Sequence, residues 1–125
     1  SPLILRDVFV GMRRFDQLQA DLGVSRKVLT ERLNHLVDSG VLERRPYDRR
    51  PRYEYHLTDK GVDLVDVLMV MVRWGDSWLA GKAGPPVLYR HHACGEISSV
   101  DLCCAHCGEP MHANDVEVLA GPGAA

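Results

Sequence analysis

Hydrophobic residues recur at helical spacing over the first 40 positions and predict three helices there. The first covers Leu3–Phe9 and the second covers 15–22. The third begins at Ser25, a favourable N-cap residue, and stops at Gly40. Its apolar face carries Val28, Leu29, Leu33, Leu36 and Val37. A short helix, a tight turn and a longer helix follow one another as in a helix-turn-helix.

Beyond this third helix the pattern becomes typical of strands. Residues 41–57 suit two strands around a turn at Tyr47–Pro51, where prolines confine the paired segments to sheet edges. A long amphipathic helix follows, capped by Thr58 or Asp59 and continuing to about Leu79.

The last third of the chain has a different composition. GKAGPP at 81–86 indicates a linker, and short strands are predicted at 87–90 and 97–102 around the turn HHACGE. The final segment, 120–125, is rich in glycine and alanine and is expected to be a disordered tail.

The net charge of −2 is distributed unevenly along the chain. Residues 1–58 hold 11 Lys and Arg against 8 Asp and Glu, whereas residues 59–125 hold 4 against 9. The positive excess therefore coincides with the helix-turn-helix pattern. Because attraction to DNA depends on where charge lies, the overall balance does not exclude a nucleic-acid partner.

The exposed positions at the start of the third helix carry groups suited to base recognition. Arg26 can form a bidentate contact with guanine and Asn34 one with adenine, while Lys27 and Thr30 suit phosphates or base edges. An ordinary solvated helix face is also polar, so this face does not decide the function alone.

The predicted hairpin is strongly basic. It carries Arg44, Arg45, Arg49, Arg50 and Arg52 within nine residues. Such arginines can follow a phosphate backbone or enter the minor groove, although charge also protects a hairpin edge from aggregation. A polar helix followed directly by a basic hairpin is more specific than either alone, and it favours binding of double-stranded DNA over catalysis.

Over residues 2–80 the chain resembles the HxlR-type winged-helix regulators, relatives of the MarR type. The matching motifs are RRF before the second helix, SRKVLTERLNHL in the third, RYEYHLTDKG between strand and helix, and WG near the end of the long helix.

The resemblance implies a bacterial transcriptional regulator that binds operator DNA as a homodimer in the cytoplasm, associated with the nucleoid. Recognition helix 25–39 would enter the major groove through Ser25, Arg26, Lys27, Thr30 and Asn34. Wing 44–53 would place Arg49, Arg50 and Arg52 on the backbone or in the minor groove. Regulators of this class dimerise through terminal helices and can bind a small-molecule effector; no membrane partner is expected. Because they usually begin with a further helix, we also expect residues before Ser1.

All four cysteines lie in the last third, where two short motifs match each other. His91-His-Ala-Cys94-Gly and Cys104-Ala-His-Cys107-Gly both place two ligand-type residues around a two-residue gap, followed by glycine. A Cys₃His set of His91, Cys94, Cys104 and Cys107 is typical of closed, structural zinc sites.

Other interpretations of this cluster stay open. His92, Cys103, His106 and His112 are neighbouring ligand candidates, and the thiols could also be free or joined as Cys94–Cys104. We favour His91 and Cys104 because they complete the two-residue gap. Cys103 would then be a buried apolar residue or a spare thiol.

The expected fold class is mainly α with a small β-hairpin wing, a winged helix-turn-helix, followed by a small zinc-ribbon-like β element. Residues 1–80 would bind DNA and dimerise, 81–86 would link, and 87–119 would form the zinc-ribbon-like extension. The alternative function is a zinc- or redox-responsive regulator whose Cys/His cluster controls DNA binding. We expect no enzyme, because neither an HExxH motif nor the HxE and PCxxC arrangement of zinc deaminases is present.

Overall fold

Helices and a hairpin follow one another in the predicted order in this computed structural model, which describes residues 2–47 and 52–124. The elements are α1 (Pro2–Phe9), α2 (Phe15–Leu22), α3 (Arg26–Asp38), β1 (Leu42–Pro46), β2 (Tyr53–Leu57) and α4 (Asp59–Trp78). The winged helix-turn-helix prediction is confirmed. Within these residues no helix is both long and apolar enough to cross a membrane.

The chain divides into two units, Ser1–Val72 and Arg73–Ala125. The core of the first is built from one face of each helix, as the apolar spacing predicts. Its fully buried side chains include Leu18 of α2 and Leu29 and Leu33 of α3. The remaining core residues are Ile4, Leu5, Val8, Leu36, Val41, Leu42 and Tyr55. This packing leaves the opposite, polar face of α3 exposed.

The wing is an antiparallel hairpin whose register runs from Leu42 opposite Leu57 to Pro46 opposite Tyr53. The segment before α2 adds a third strand-like contact, since the Tyr55 N–H donates to the Arg13 carbonyl at 2.7 Å. The wing is therefore attached on one side to the segment before α2. The side chain of Tyr55, on β2, is buried in the core.

Thr58 joins the start of α4 to the segment that follows α3. The Thr58 hydroxyl accepts from the Gly61 N–H at 3.1 Å and donates to the Val41 carbonyl at 3.1 Å. Lys60 Nζ also donates to the Ser39 carbonyl at 2.7 Å. The first of these bonds satisfies an N–H group of the first turn that has no partner within the helix, and the other two fix where α4 begins.

The second unit contains little regular structure. Its strands are β3 (Tyr89–Arg90) and β4 (Ile97–Ser98), followed by a 3-10 turn at Ala113–Asp115. Both strands are shorter than predicted, because only Tyr89 with Ser98 and Arg90 with Ile97 pair before the chain enters its turns. The domain boundaries and the disordered tail stay predictions.

One carboxylate is buried in the core of the first unit. Asp7 on α1 is 1% exposed, and its Oδ1 accepts from Arg6 Nη2 at 2.9 Å. Its Oδ2 is buried with no hydrogen-bond partner among the described residues. The same Arg6 nitrogen donates to Asp21 of α2 at 3.3 Å. Burial raises the pKa of Asp7, the nearby Asp21 carboxylate raises it further, and Arg6 opposes both.

We expect Asp7→Asn to flatten the pH dependence of stability. A raised folded-state pKa means that the native state holds the proton more tightly than the unfolded chain. Wild type should therefore gain stability relative to Asp7→Asn as the pH falls from neutral towards the ordinary aspartate range near 4. Urea unfolding of both proteins at several pH values measures this difference, and parallel curves would contradict it.

Candidate nucleic-acid interface

The polar face of α3 presents every residue that the sequence predicts for its DNA contact. Ser25, Arg26, Lys27, Thr30 and Asn34 are all exposed. The Ser25 hydroxyl accepts from the Val28 N–H at 3.2 Å, so it caps α3 as predicted. That bond uses the hydroxyl oxygen as an acceptor and leaves its proton free to donate to a phosphate.

Arg26 lies over an aromatic ring at the start of α2. Its guanidinium carbon is 4.9 Å from the centre of the Phe15 ring. A cation over a ring face is attracted by the ring quadrupole, and the contact limits the number of rotamers. Arg26 is thus partly ordered before any ligand arrives, which lowers the entropy cost of a base contact.

An open groove of about 590 Å³ separates the start of α3 from the wing. Arg26 and Thr30 line one side, Arg52 and the ring of Tyr47 line the other, and Tyr55 also contributes. Further lining residues are Phe15, Asp16 and Tyr53. The structure therefore places two of the five predicted helix contacts, Arg26 and Thr30, and one predicted wing contact, Arg52, around the same opening. Arg49 and Arg50 lie outside the described residues.

Two further arginines lie beside these elements: Arg14, which was not predicted to belong to the interface, and Arg44, a wing arginine with no predicted contact of its own. Arg14 stacks over the Tyr47 ring at 4.3 Å and approaches Glu54 at 3.8 Å. Arg44 of β1 donates a hydrogen bond to Oδ1 of Asn34. Both contacts depend on how the chain folds, so residue spacing gives no signal for the contacts themselves, although the RR pair before α2 and the basic wing are visible in the sequence.

The arrangement combines donors suited to two kinds of contact. Guanidinium groups and the Lys27 ammonium can bind phosphates, whereas the Asn34 amide and Arg26 can bind base edges in a major groove. The buried face of α3 holds this surface rigidly, because Leu29 and Leu33 are fully enclosed. A helix anchored this way can enter a groove without rearranging the core.

The second unit contains two turns with the same backbone geometry, at 91–95 and 104–108, here called knuckle 1 and knuckle 2. In knuckle 1 the His91 N–H donates to the Glu96 carbonyl at 2.9 Å and the Gly95 N–H to the His91 carbonyl at 2.8 Å. In knuckle 2 the Cys104 N–H donates to the Glu109 carbonyl at 2.7 Å and the Gly108 N–H to the Cys104 carbonyl at 2.8 Å. The sequence match is thus a structural match.

Each knuckle closes on a glycine in the left-handed region, with φ of 74° at Gly95 and 78° at Gly108. Residues other than glycine rarely adopt this backbone conformation. The turn brings the two ligand-type side chains of knuckle 1 together, with Cys94 Sγ 3.6 Å from His91 Nδ1.

Knuckle 2 contains a cysteine whose thiol pKa is lowered by its own turn. Hydrogen bonds from the backbone N–H groups of Cys107 and His106 lower the pKa of Cys104, with His106 N at 3.4 Å from the sulfur. Donors aimed at sulfur favour thiolate, which is the form that binds metal. All four cysteines are free thiols, so the Cys94–Cys104 disulfide is absent. Cys103 is exposed rather than buried, contrary to one of our two expectations for it.

The structure forms the two knuckles separately. Over residues 2–47 and 52–124, no three His, Cys, Asp or Glu side chains converge as a metal site requires. His92, His106 and His112, the other candidates, are exposed, and His112 lies 3.5 Å from Asp101.

Comparison with known proteins identifies the family. A model of the HxlR-like helix-turn-helix family matches residues 1–83. An HTH-type transcriptional regulator of Mycobacterium tuberculosis, itself uncharacterised, is 47% identical over 122 residues, covering 97% of this chain and 77% of its own length.

Solved structures agree with this result. The crystal structure of PA1607, a candidate transcription factor, has a TM-score of 0.82 at 31% identity and covers 95% of this chain and 84% of its own. The reduced form of the transcriptional regulator YodB from Bacillus subtilis has a TM-score of 0.55 at 31% identity, covering 66% and 80%. These relatives are regulators rather than enzymes, which confirms that part of the sequence prediction. The chain belongs to the HxlR-like family of helix-turn-helix proteins and is a DNA-binding transcriptional regulator.

Proposed function

We propose that this regulator binds operator DNA as a homodimer, with α3 in the major groove and the wing on the adjacent backbone or minor groove. The observation that carries the proposal is the groove between α3 and the wing, where Arg26, Thr30 and Arg52 face one opening. A recognition helix and a wing that contact one duplex need groups for base edges and for phosphates on neighbouring elements, and this shared opening supports such a binding mode. The protein would act in the bacterial cytoplasm, on the nucleoid.

The homodimer is supported by large apolar side chains that α4 leaves exposed to solvent. Met71, Trp74 and Trp78 are 60%, 59% and 75% exposed, and Val67 is also exposed. Large aromatic side chains on one helix are costly to leave in water and are enriched at subunit interfaces. A second copy of the chain would cover them and present two α3 helices to two half-sites.

Substitutions in α3 and in the wing should weaken DNA binding in different ways. Arg26→Ala removes a base contact and should reduce discrimination between sequences by about 1–3 kcal/mol. Arg52→Ala removes a phosphate contact, so it should weaken binding to all sequences and lower the salt dependence by about one charge. Fluorescence anisotropy with a selected duplex and a random duplex, at several salt concentrations, separates the two effects.

The matched control is Lys82→Ala, which removes an exposed positive charge beyond α4. It should change neither discrimination nor the salt slope. The wild-type complex should contain two chains per duplex site by sedimentation. If Arg26→Ala and Arg52→Ala bind like wild type, or if one chain suffices, the proposed binding mode is wrong.

We also propose that a structural Zn²⁺ is held by His91, Cys94, Cys104 and Cys107. The two knuckles support this, because each presents one pair of ligand-type residues on the same hydrogen-bonded turn. Zinc would supply four bonds that tie the knuckles together, which matters because no apolar side chain among residues 73–124 is buried.

A second candidate function is a metal- or thiol-responsive regulator. The exposed thiols of Cys94, Cys103 and Cys107 and the lowered pKa of Cys104 favour it, since exposure and thiolate character determine reactivity. Operator affinity measured with zinc bound and after chelation distinguishes the candidates. Equal affinity supports a structural role, and a clear change supports sensing.

A further inference from the structure

We propose that Arg44 positions the Asn34 amide and so determines sequence preference at a single base pair. The inference rests on the proposed DNA binding mode. Arg44 belongs to the wing and Asn34 to the recognition helix, yet the guanidinium Nη2 of Arg44 donates to Asn34 Oδ1. From the sequence, Asn34 is predicted to contact adenine by itself, and no individual contact is predicted for Arg44.

The bond can form in only one orientation of the amide. A guanidinium has donors and no acceptor. An asparagine amide has an acceptor at one end, Oδ1, and two donors at the other, Nδ2, so only Oδ1 can bond to Arg44. Arg44 therefore holds Oδ1 on its own side and leaves the two Nδ2 protons on the other. A free asparagine would lack this distinction, since its amide rotates between the two orientations.

The strand geometry keeps Arg44 in place. Arg44 pairs with Tyr55 in the hairpin register, and Tyr55 is buried under the wing. The Tyr55 N–H donates in turn to the Arg13 carbonyl. The guanidinium thus extends from a strand position that is fixed on two sides, which suits a group that orients another side chain.

A fixed amide discriminates between bases. Adenine offers N7 as an acceptor beside the N6 donor, which matches Nδ2 and the second lone pair of Oδ1. Guanine offers two acceptors at these positions and would place O6 against Oδ1. With Arg44 present, the amide is already held in the orientation that adenine requires, and we expect Asn34 to select an A·T pair. Without Arg44, adenine must itself fix the amide, and this entropy cost weakens the preference.

The neighbouring Arg45 provides a matched control. It is exposed on the same strand, and its guanidinium binds Glu43 instead of α3. Successive side chains of a strand point to opposite faces, so Arg44 and Arg45 differ in direction while sharing charge and element. Loss of general attraction to phosphate should therefore be similar in Arg44→Met and Arg45→Met.

The test selects sequences from a library of random duplexes with wild type, Asn34→Ala, Arg44→Met, Arg45→Met and the Asn34→Ala/Arg44→Met double variant. We expect Arg44→Met and Asn34→Ala to lose preference at the same base pair, by about tenfold, and the double variant to lose no more than either. Arg45→Met should keep the wild-type preference at every position. Because Arg44 is exposed, melting temperatures should change little.

The inference is overturned if Arg44→Met keeps the preference that Asn34→Ala loses, or if the two losses simply add. A loss at a different position would equally overturn it, since Arg44 would then contact DNA by itself. If wild type and Arg45→Met select no sequence at all, it is the proposed function that fails.

Discussion

Gly61→Ala is expected to destabilise the first unit by about 3 kcal/mol, the upper part of the range for overpacking a well-packed site. A Cβ at position 61 would lie 2.2 Å from the Val41 carbonyl oxygen and 3.0 Å from Cδ2 of Leu57. The first of these neighbours is backbone. It cannot move without breaking the bonds that the same oxygen accepts from Thr58, from N at 3.1 Å and from Oγ1 at 3.1 Å.

The chain contains a control for this substitution in the same helix. Gly75 also lies in α4, and a Cβ built there meets nothing within 4 Å. Gly75→Ala should therefore stabilise the protein by up to about 1 kcal/mol through helix propensity alone. Thermal unfolding followed by circular dichroism compares the two variants. A shift of roughly 10–20 °C downward is expected for Gly61→Ala.

Equal melting temperatures for Gly61→Ala and wild type would show that α4 does not pack so closely on Val41. In that case the direction of α4, and the exposed apolar surface it carries, would not be fixed by this contact. Gly61→Ala therefore tests the position of α4, on which the proposed dimer depends, as well as local packing.

Local features of this fold follow from the sequence because they depend on neighbouring residues. Ser25 was expected to cap α3, and its hydroxyl does so. The apolar spacing of α3 correctly separates buried Leu29 and Leu33 from exposed Arg26 and Thr30. These choices depend on helix periodicity and capping, which act within four residues.

Features that depend on tertiary register were not predictable in the same way. Arg44 reaches Asn34 only because the hairpin folds back beside α3, and Arg14 stacks on Tyr47 across 33 positions. Asp7 shows the same limit. In the sequence it only interrupts an apolar stretch, whereas in the structure it is buried beside Arg6, close to Asp21 of another helix.

Both the sequence and the structure favour Cys104 over Cys103 as the proposed metal ligand. The sequence favours Cys104 by its gap to Cys107. The structure adds that Cys104 begins knuckle 2, while Cys103 precedes it in an isolated bridge with Pro110. Only Cys104 occupies the position that His91 occupies in knuckle 1.

Cys104→Ser should bind zinc far more weakly than wild type and lose most of it on purification, whereas Cys103→Ser should retain one zinc per chain. Serine is nearly isosteric with cysteine but offers no thiolate, so the substitution removes one of four bonds and leaves the backbone turn intact. Structural zinc contributes about 10–16 kcal/mol of apparent binding free energy, so loss of one ligand should weaken affinity by well over 100-fold. Elemental analysis of protein purified from zinc-supplemented cultures gives the metal content.

Cys103→Ser is a matched control for Cys104→Ser, because the two variants differ only in which of two adjacent sulfurs is lost. Zinc retained by Cys104→Ser and lost by Cys103→Ser would reverse the ligand assignment, and zinc absent from wild type would reject the site. Far-UV circular dichroism should show the helices of the first unit unchanged in both variants. They depend on a core made of residues 4–55, which contains no cysteine and none of the proposed zinc ligands.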